Sequence, residues 1–322
     1  MSHFDVFNGD ADGIFALIQL RKAEPKASTL ISGVKRDIAL VAQVKAKPGD
    51  CVTVLDVSLD KNREAVEALL SAGIAVTYFD HHYVGTQPTS TGFEGHIDTG
   101  SQWCTSLLVD RHLGGAQHLW AIAGTYGDNL IAIANDLAAA AGLTISQREQ
   151  LQALGELVNY NGYGRSVADL HFAPAELYQR LQTYASPFAV WDDTGSPVHQ
   201  LERGFAGDLA HGEAINASTA GAGALVYRLP NAPWAFRISG TLANLRARQN
   251  PDCAIALLTE SEEGSWTVSV RAPVNAPQGA DQLCREFETG GGRTRAAGIN
   301  RLPHAQLDNF ILRLATHYPG SS

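Results

Sequence analysis

Short apolar runs alternate with segments of helical periodicity over the first part of the chain. Apolar runs at residues 4–7, 52–55 and 74–79 predict three strands, and residues 14–23 and 63–71 predict helices after the first two. Parallel strands need crossover connections of about a dozen residues or more, and the intervals here are long enough. The pattern therefore predicts strand–helix–strand units and a mainly parallel sheet.

Polar and breaker residues indicate where these elements begin and where a domain ends. Asp60 is expected to cap the second helix. Helical periodicity continues at residues 131–141 and 146–157. The segment Asp-Asp-Thr-Gly-Ser-Pro at residues 192–197 breaks both the helical and the strand period. It is therefore the best candidate for a linker.

A second, smaller α/β domain is expected from about residue 216. Strands are predicted at residues 223–227, 253–258 and 266–271, with helices between them and a glycine-rich turn at 290–292. We expect the α/β class, with an N-terminal doubly wound, mainly parallel sheet and a smaller C-terminal α/β domain. The predicted limits are 1–190 for the catalytic domain, 191–215 for a linker with a connecting helix, and 216–322 for the second domain.

The composition allows two ordinary domains and disfavours one class of partner. The chain has 322 residues, of which 45% are hydrophobic, and a formal net charge of −9. An acidic chain is not expected to offer an extended binding surface for long duplex nucleic acid, although a local phosphate site is compatible with its charge. The charge is uneven, because residues 216–322 contain 10 arginines, no lysine and 8 acids, which leaves −11 on residues 1–215.

Cysteine spacing and apolar segments argue against other classes. The four cysteines lie far apart and form no C-x-x-C pair, so neither a thiolate zinc cage nor a redox dithiol is expected. No apolar run reaches the roughly 18 residues of a membrane span, and the N-terminus lacks the pattern of a secretory signal. We expect a soluble cytoplasmic protein with no membrane partner.

Acidic residues follow each of the three predicted strands, and two histidines follow the third. In an open parallel sheet the carboxyl ends of the strands form one crevice, where ligands bind. Side chains that are distant in sequence are therefore expected to meet there. A divalent metal ion neutralises such close carboxylates, and a mixed carboxylate and imidazole set favours manganese-like ions over a thiolate zinc site. The residues concerned are Asp10, Asp12, Asp56, Asp80, His81 and His82.

These motifs, in this order, resemble the DHH phosphoesterase superfamily over nearly the whole chain. Residues 159–165 are similar to the Asn…Gly-Arg segment of its RecJ branch. Residues 269–271 and 290–298 resemble the Ser-x-Arg strand and the Gly-rich signature of the DHH-associated C-terminal domain. The four metal motifs are matched by Asp10-Ala11-Asp12-Gly13, Asp56, Asp80-His81-His82 and Gly127-Asp128-Asn129.

The resemblance implies a metal centre with two divalent ions, expected to be Mn²⁺, with Mg²⁺ or Co²⁺ as alternatives. Asp10 and Asp12 would each serve one ion, and Asp56 would bridge both. His81 and Asp128 would be further ligands. The ordinary alternative for an isolated D-x-D-G turn is a solvated loop, so the assignment depends on the whole ordered set.

The resemblance also implies roles in catalysis, and the chain departs from the family pattern at two positions. His82 would donate a hydrogen bond to the scissile phosphate, and Asp80 would orient a ligand. Asn8 stands where the family often has His or Asp, so one ion would be held more weakly or through water. Arg293 replaces a His after the glycines; Arg can bind phosphate with two parallel hydrogen bonds, so the departure bears on substrate preference.

The glycine triplet indicates an anion site on independent grounds. Successive glycines allow backbone N–H groups to turn towards one anion, as in phosphate nests. Taken alone, such a triplet is usually a flexible turn, but here it stands in a domain that contains arginines and no lysine. The substrate-binding residues expected from the triplet and the resemblance are Arg165, Arg271, Gly290, Gly291, Gly292, Arg293 and Arg295.

We therefore expect a metal-dependent phosphodiesterase or exonuclease in which hydroxide attacks phosphorus in line with the aid of two ions. No extended basic or aromatic groove is predicted, so short single-stranded oligonucleotides or small nucleotides are favoured, as in two-domain nanoRNase members. The active site is expected in the interdomain cleft, and a homodimer is compatible with the family. Two alternatives stay open: a polyphosphate or pyrophosphate phosphohydrolase, and a catalytically weak nucleotide-binding regulatory protein.

Overall fold

The computed structural model describes residues 1–261 and 264–320. Internal contacts divide the chain into two compact units, Met1–Gly204 and Phe205–Ser322. The boundary between the units falls inside a helix, Pro197–Glu213. Within the described residues, no helix combines the length and the apolar character needed to cross a bilayer.

The first unit begins with alternating strands and helices and continues with helices. Its strands are β1 (His3–Phe7), β2 (Thr29–Ser32), β3 (Cys51–Leu55), β4 (Ala75–Asp80) and β5 (Phe93–Ile97). Its helices are α1 (Ala11–Ala23), α2 (Leu59–Ser71), α3 (Thr105–His112), α4 (His118–Gly127), α5 (Ile131–Ala140), α6 (Ile145–Asn161), α7 (Pro174–Leu181), α8 (Ala189–Asp192) and α9 (Pro197–Glu213), with 3₁₀ turns at Val41–Gln43 and Val167–Asp169.

The five strands form one parallel sheet in the order β2-β1-β3-β4-β5. Its central strands are almost completely buried because Val, Leu and Phe side chains occupy both faces, as expected for a parallel sheet covered on two sides. The predicted parallel sheet is thus confirmed. The order β1-β3-β4 in the middle brings the three acid-bearing strand ends to adjacent positions on one edge.

Two details of this unit differ from the sequence-based expectation. The helix α2 begins at Leu59, before Asp60, so Asp60 is not its cap. The reason is that the Leu59 N–H already has an acceptor, since it donates to Asp80 Oδ2 at 3.3 Å. In addition, the sheet contains the edge strands β2 and β5, whose short and partly polar sequences carry little strand signal.

The second unit contains a mixed sheet of six strands in the order β10-β11-β9-β8-β7-β6. Among the described strands of this sheet, β7 and β8 pair in parallel and the other neighbours are antiparallel. Its elements, after the end of α9, are β6 (Ser218–Thr219), β7 (Ala224–Leu229), α10 (Pro233–Gln249), β8 (Ala254–Ser261), β9 (Ser265–Arg271), α11 (Ala280–Arg285), β10 (Gly290–Arg293), β11 (Ala296–Pro303), a 3₁₀ turn His304–Gln306 and α12 (Leu307–His317).

The glycine triplet does not form the predicted turn, because it lies in the edge strand β10. Gly290, Gly291 and Gly292 pair with Ile299, Gly298 and Ala297 of β11, and the chain reverses after Arg293. Close packing explains two of the glycines, since a Cβ at Gly290 would lie 1.7 Å from the Cys284 carbonyl oxygen and one at Gly292 would lie 2.4 Å from Ala297 Cα. Gly291 has open space around it.

Candidate metal centre

Asp10 and Asp12 lie at the start of α1, directly after strand β1. Asp10 is the N-cap, and its Oδ1 accepts a hydrogen bond from the Gly13 N–H at 3.1 Å. Both oxygens of Asp12 accept backbone N–H groups at the start of α3, from Thr105 at 2.6 Å and Ser106 at 2.7 Å. The positive end of α3 thus stabilises a buried carboxylate and fixes its direction.

Asp56 follows strand β3 in an unusual backbone conformation. Its φ is +58°, in the left-handed region that residues other than glycine rarely adopt. The residue is 2% exposed, and its Oδ1 accepts a hydrogen bond from the Thr105 hydroxyl at 3.1 Å. Strained residues of this kind concentrate at functional sites, where the surrounding structure holds them. Here the strain turns the Asp56 carboxylate towards the other acids.

Asp80 is the last residue of strand β4, and His81 and His82 follow it directly. Asp80 is fully buried and accepts from His82 Nδ1 at 2.7 Å. Because a carboxylate accepts, Nδ1 of His82 carries a hydrogen, and the Nε2 edge of the ring is left for another partner. The His82 side chain is 44% exposed, so a ligand can reach it. Asp80 therefore acts on the site by orienting His82 and by holding the start of α2.

The imidazole of His81 brings three aspartates from different elements together. Its Nε2 lies 3.4 Å from Asp56 Oδ1, 3.9 Å from Asp12 Oδ2 and 4.0 Å from Asp128 Oδ2. Asp128 stands at the carboxyl end of α4, followed by Asn129 with a φ of +62°. Strand ends and a helix end thus converge, as the order of the motifs predicts.

Two groups of side chains in the described part of the chain, which share His81, are alternative positions for an ion. One consists of Asp12, His81 and Asp128, and the other of Asp56, His81 and His82, with ligand atoms within 4.8 Å of one another in each group. Imidazole nitrogen combined with carboxylate oxygen suits Mn, Fe, Co or Zn better than Ca. The donor set therefore fits a divalent transition metal ion.

The pKa values of these acids indicate uncompensated negative charge. Burial, together with the charges of Asp10 and Asp12, holds the pKa of Asp56 well above its usual range. Burial and the neighbouring Asp12 raise the pKa of Asp128 to about 7. Close carboxylates in a low-dielectric site favour their neutral forms unless a cation is present. A divalent cation is the natural partner for such a cluster.

Asp10 differs from the other acids because it already has a cationic partner. Lys35 Nζ lies 2.7 Å from Asp10 Oδ2, and although burial alone would raise the pKa of Asp10, the Lys35 charge keeps it below the usual value. The amide of Asn8 is occupied by the backbone, since its Nδ2 donates to the Lys35 carbonyl at 3.4 Å and its Oδ1 accepts from the Asp10 N–H at 3.3 Å.

Among the residues expected to bind substrate, Arg165 and Arg271 have protein partners. The Arg165 guanidinium binds the Asp169 carboxylate with contacts of 2.9 and 3.0 Å. Arg271 donates to Asn244 Oδ1 at 2.7 Å and to Ser269 Oγ at 3.0 Å. Both arginines are therefore oriented by hydrogen bonds.

Arg293 and Arg295 are exposed at the end of β10 and in the turn after it. Gly291 next to them has no atom within 4 Å of where a Cβ would stand, so a ligand can approach the backbone there. These residues belong to the second unit, whereas the acids and histidines belong to the first. The substrate-binding role of the glycines and arginines stays a prediction.

Lys35 and Thr105 are functional candidates that the sequence did not single out. Lys35 follows strand β2, whose weak pattern hid the fact that its carboxyl end meets the same edge of the sheet. Thr105 begins α3, and nothing in its sequence neighbourhood connects it with the Asp56 carboxylate. A Thr at a helix start is a common capping residue, so only the fold reveals this contact.

The fold described above is similar to that of several solved structures. Exonuclease RecJ bound to manganese matches over 98% of this chain and 89% of its own, with a TM-score of 0.63 and 17% identity. RecJ of Thermus thermophilus in complex with Mn²⁺ has a TM-score of 0.65 at 19% identity. The match covers 98% of this chain but only 52% of that RecJ, so this chain spans about half of its length. The pGpG-specific phosphodiesterase PggH from Vibrio cholerae has a TM-score of 0.54 at 13% identity, with 98% and 100% of the two chains covered.

At the level of sequence, neither a family model nor a curated protein matches the chain. The likeness to the solved structures is one of fold, and it extends over both units.

Proposed function

We propose that the protein is a divalent-metal-dependent phosphodiesterase that acts on short single-stranded oligonucleotides or small nucleotides. The observation that carries the proposal is the position of His81 Nε2, within 4.0 Å of oxygens of Asp12, Asp56 and Asp128. Carboxylates and imidazole of this kind hold metal ions that act on phosphoryl groups. Next to them, His82 offers a ring edge that is accessible from solvent.

In the proposed mechanism Asp12, Asp56, His81 and Asp128 hold the metal. A bound divalent ion supplies an activated water as nucleophile and neutralises charge on the phosphoryl oxygens. His82 donates a hydrogen bond from Nε2 to a non-bridging oxygen as negative charge develops there.

Although burial alone would lower the pKa of His82, the Asp80 carboxylate that accepts from Nδ1 at 2.7 Å raises it. Asp80 thus favours the imidazolium form, which carries a hydrogen on Nε2 as well as on Nδ1. It also gives the ring a fixed direction. In the proposed role Asp80 positions the donor and does not itself touch the substrate.

The proposed substrate is small and phosphorylated. The RecJ match is an exonuclease and the PggH match is a pGpG-specific phosphodiesterase, which supports a substrate that is a nucleic acid or a nucleotide. The net charge of −9 disfavours long duplexes, while Arg293 and Arg295 are proposed to bind a phosphate. We propose Mn²⁺ as the metal, in line with the manganese bound to RecJ. The cytoplasmic location and the homodimer stay predictions.

A panel of substrates tests this function with the full-length protein and Mn²⁺. The panel contains 5′-phosphorylated oligonucleotides of increasing length, cyclic dinucleotides, phosphoadenosine phosphate, polyphosphate and pyrophosphate. The proposal expects mononucleotides from the shortest oligonucleotides, and loss of turnover in Asp56→Asn but not in the exposed control Asp136→Asn. Orthophosphate from polyphosphate alone would instead indicate a phosphohydrolase, and binding without turnover would indicate a regulatory protein.

A further inference from the structure

The ammonium group of Lys35 lies inside the acidic cluster, where a cation is expected. Its Nζ is 2.7 Å from Asp10 Oδ2 and donates a hydrogen bond to Asn159 Oδ1 at 3.0 Å. It also lies 5.5 Å from the centre of the Tyr163 ring, at a distance typical of a cation–π contact. Asp10 lies at the start of α1, whereas Asn159 and Tyr163 lie at the end of α6 and just after it, so two distant parts of the chain surround one positive charge.

The backbone of Lys35 is held as firmly as its side chain. The Lys35 N–H donates to the Gly162 carbonyl at 2.8 Å, and its carbonyl accepts from Asn8 Nδ2 at 3.4 Å. Gly162 is itself pressed against the loop of Asp10, because a Cβ there would lie 3.1 Å from Asp10 Cα. The ammonium is therefore a built part of the site and not a mobile surface group.

We propose that Lys35 replaces one of the two ions of the centre, so that the protein binds a single divalent ion through Asp12, Asp56, His81 and Asp128. Neither ligand group in the described residues includes Asp10. Asn8, a neutral amide, has both ends bound to backbone groups and offers no charge to a second ion. The metal-binding part of the proposed function is assumed, whereas catalysis is not.

Distance and charge explain why an ion at Asp10 would compete with Lys35. A metal ion bound to a carboxylate lies about 2.1 Å from the oxygen. An ion on Asp10 Oδ2 would then stand at most about 5 Å from Nζ, which is 2.7 Å from the same oxygen. Two cations so close repel strongly in a buried site. The ammonium instead supplies positive charge to Asp10 without ligand exchange.

The number of bound ions tests the proposal directly, without any measurement of activity. Mn²⁺ is added to the metal-free protein, and the free ion is followed by electron paramagnetic resonance. We expect one tightly bound ion per chain in the wild type and two in Lys35→Met, which keeps an unbranched side chain of similar size and removes its charge. The control Lys61→Met, at an exposed position of α2, should bind one. Two ions in the wild type, none, or an unchanged count in Lys35→Met would overturn the proposal.

A second measurement on the wild type avoids any effect of the substitution on folding. Lysines are labelled with an amine-reactive ester, and the rate at Lys35 is compared with that at Lys61 by mass spectrometry. An ammonium bound to Asp10 should react slowly, and adding Mn²⁺ should leave its rate unchanged. A rise in Lys35 labelling upon addition of Mn²⁺ would mean that the ion displaces the lysine, which contradicts the proposal. A single bound ion without turnover would support Lys35 and contradict the catalytic function.

Discussion

Replacing Asp128 by Asn should stabilise the metal-free protein at alkaline pH and make its stability less dependent on pH. Burial and the neighbouring Asp12 raise the pKa of Asp128 from 3.8 to about 7 in the folded protein. An Asn has nearly the same shape but no charge, so it removes the repulsion without leaving a cavity. The effect opposes the usual expectation that substitution of a site residue destabilises a protein.

The magnitude follows from the difference between the folded and unfolded pKa. Below about pH 4 Asp128 is protonated in both states, and between about pH 4 and 7 only the unfolded state is ionised, so stability falls as pH rises. Above pH 7 both states are ionised and the full cost is present, about 4 kcal/mol for a pKa rise from 3.8 to about 7. Between about pH 5 and pH 8 the free energy of unfolding of the wild type should thus fall by about 3 kcal/mol because of Asp128, and Asp128→Asn should not show this fall.

Denaturant unfolding in EDTA at the two pH values measures this difference. The stability of Asp128→Asn should exceed that of the wild type by a larger amount at the higher pH. Asp136→Asn, at an exposed position of α5, serves as the matched control. Addition of Mn²⁺ should stabilise the wild type more than the variant, because the variant lacks a ligand. A gain that is equal at both pH values, or a loss of stability in EDTA at the higher pH, would refute the electrostatic reasoning.

Three further substitutions test packing, ligand orientation and substrate binding. Gly155→Ala should lower the free energy of unfolding by about 1–3 kcal/mol, because a Cβ would lie 2.3 Å from a backbone oxygen of α4. Gly207→Ala, in an open part of α9, should raise it by up to about 1 kcal/mol, and denaturant unfolding compares the two variants. Thr105→Val should weaken Mn²⁺ binding about 10-fold by removing the hydroxyl bonded to Asp56, and Thr105→Ser should retain it; equal affinity of the Val and Ser variants would argue against the role. Arg293→Ala should raise KM several-fold with little change in kcat, and steady-state kinetics in which only kcat falls would contradict phosphate binding.

Much of the first sheet could be predicted because its signals are local. The apolar runs of β1, β3 and β4 are short, buried and followed by acids, and a parallel sheet places their ends together. The convergence of Asp12, Asp56 and His81 follows from that geometry. For this part of the centre, motif order and strand register contain nearly all the required information.

Predictions from the sequence fail in this protein where tertiary contacts decide the structure. The glycines of β10 were expected to form a turn, but their missing side chains serve close packing against Cys284 and Ala297 in an edge strand. Lys35 was not recognised because β2 has only four residues and weak periodicity. Its ion pair with Asp10 depends on strand order, which the sequence does not encode locally.

Hydrolysis in ¹⁸O-labelled water tests the central claim most directly. The full chain is given a short 5′-phosphorylated oligonucleotide with Mn²⁺, and the masses of all products are measured by mass spectrometry. Attack of water on phosphorus predicts one ¹⁸O atom in the phosphate formed at each hydrolysed diester and none in the 5′-phosphate already present in the substrate, with release abolished by EDTA and by Asp56→Asn. Product that forms in EDTA, or a set of products in which no newly formed phosphate carries the label, would contradict a metal-dependent phosphodiesterase.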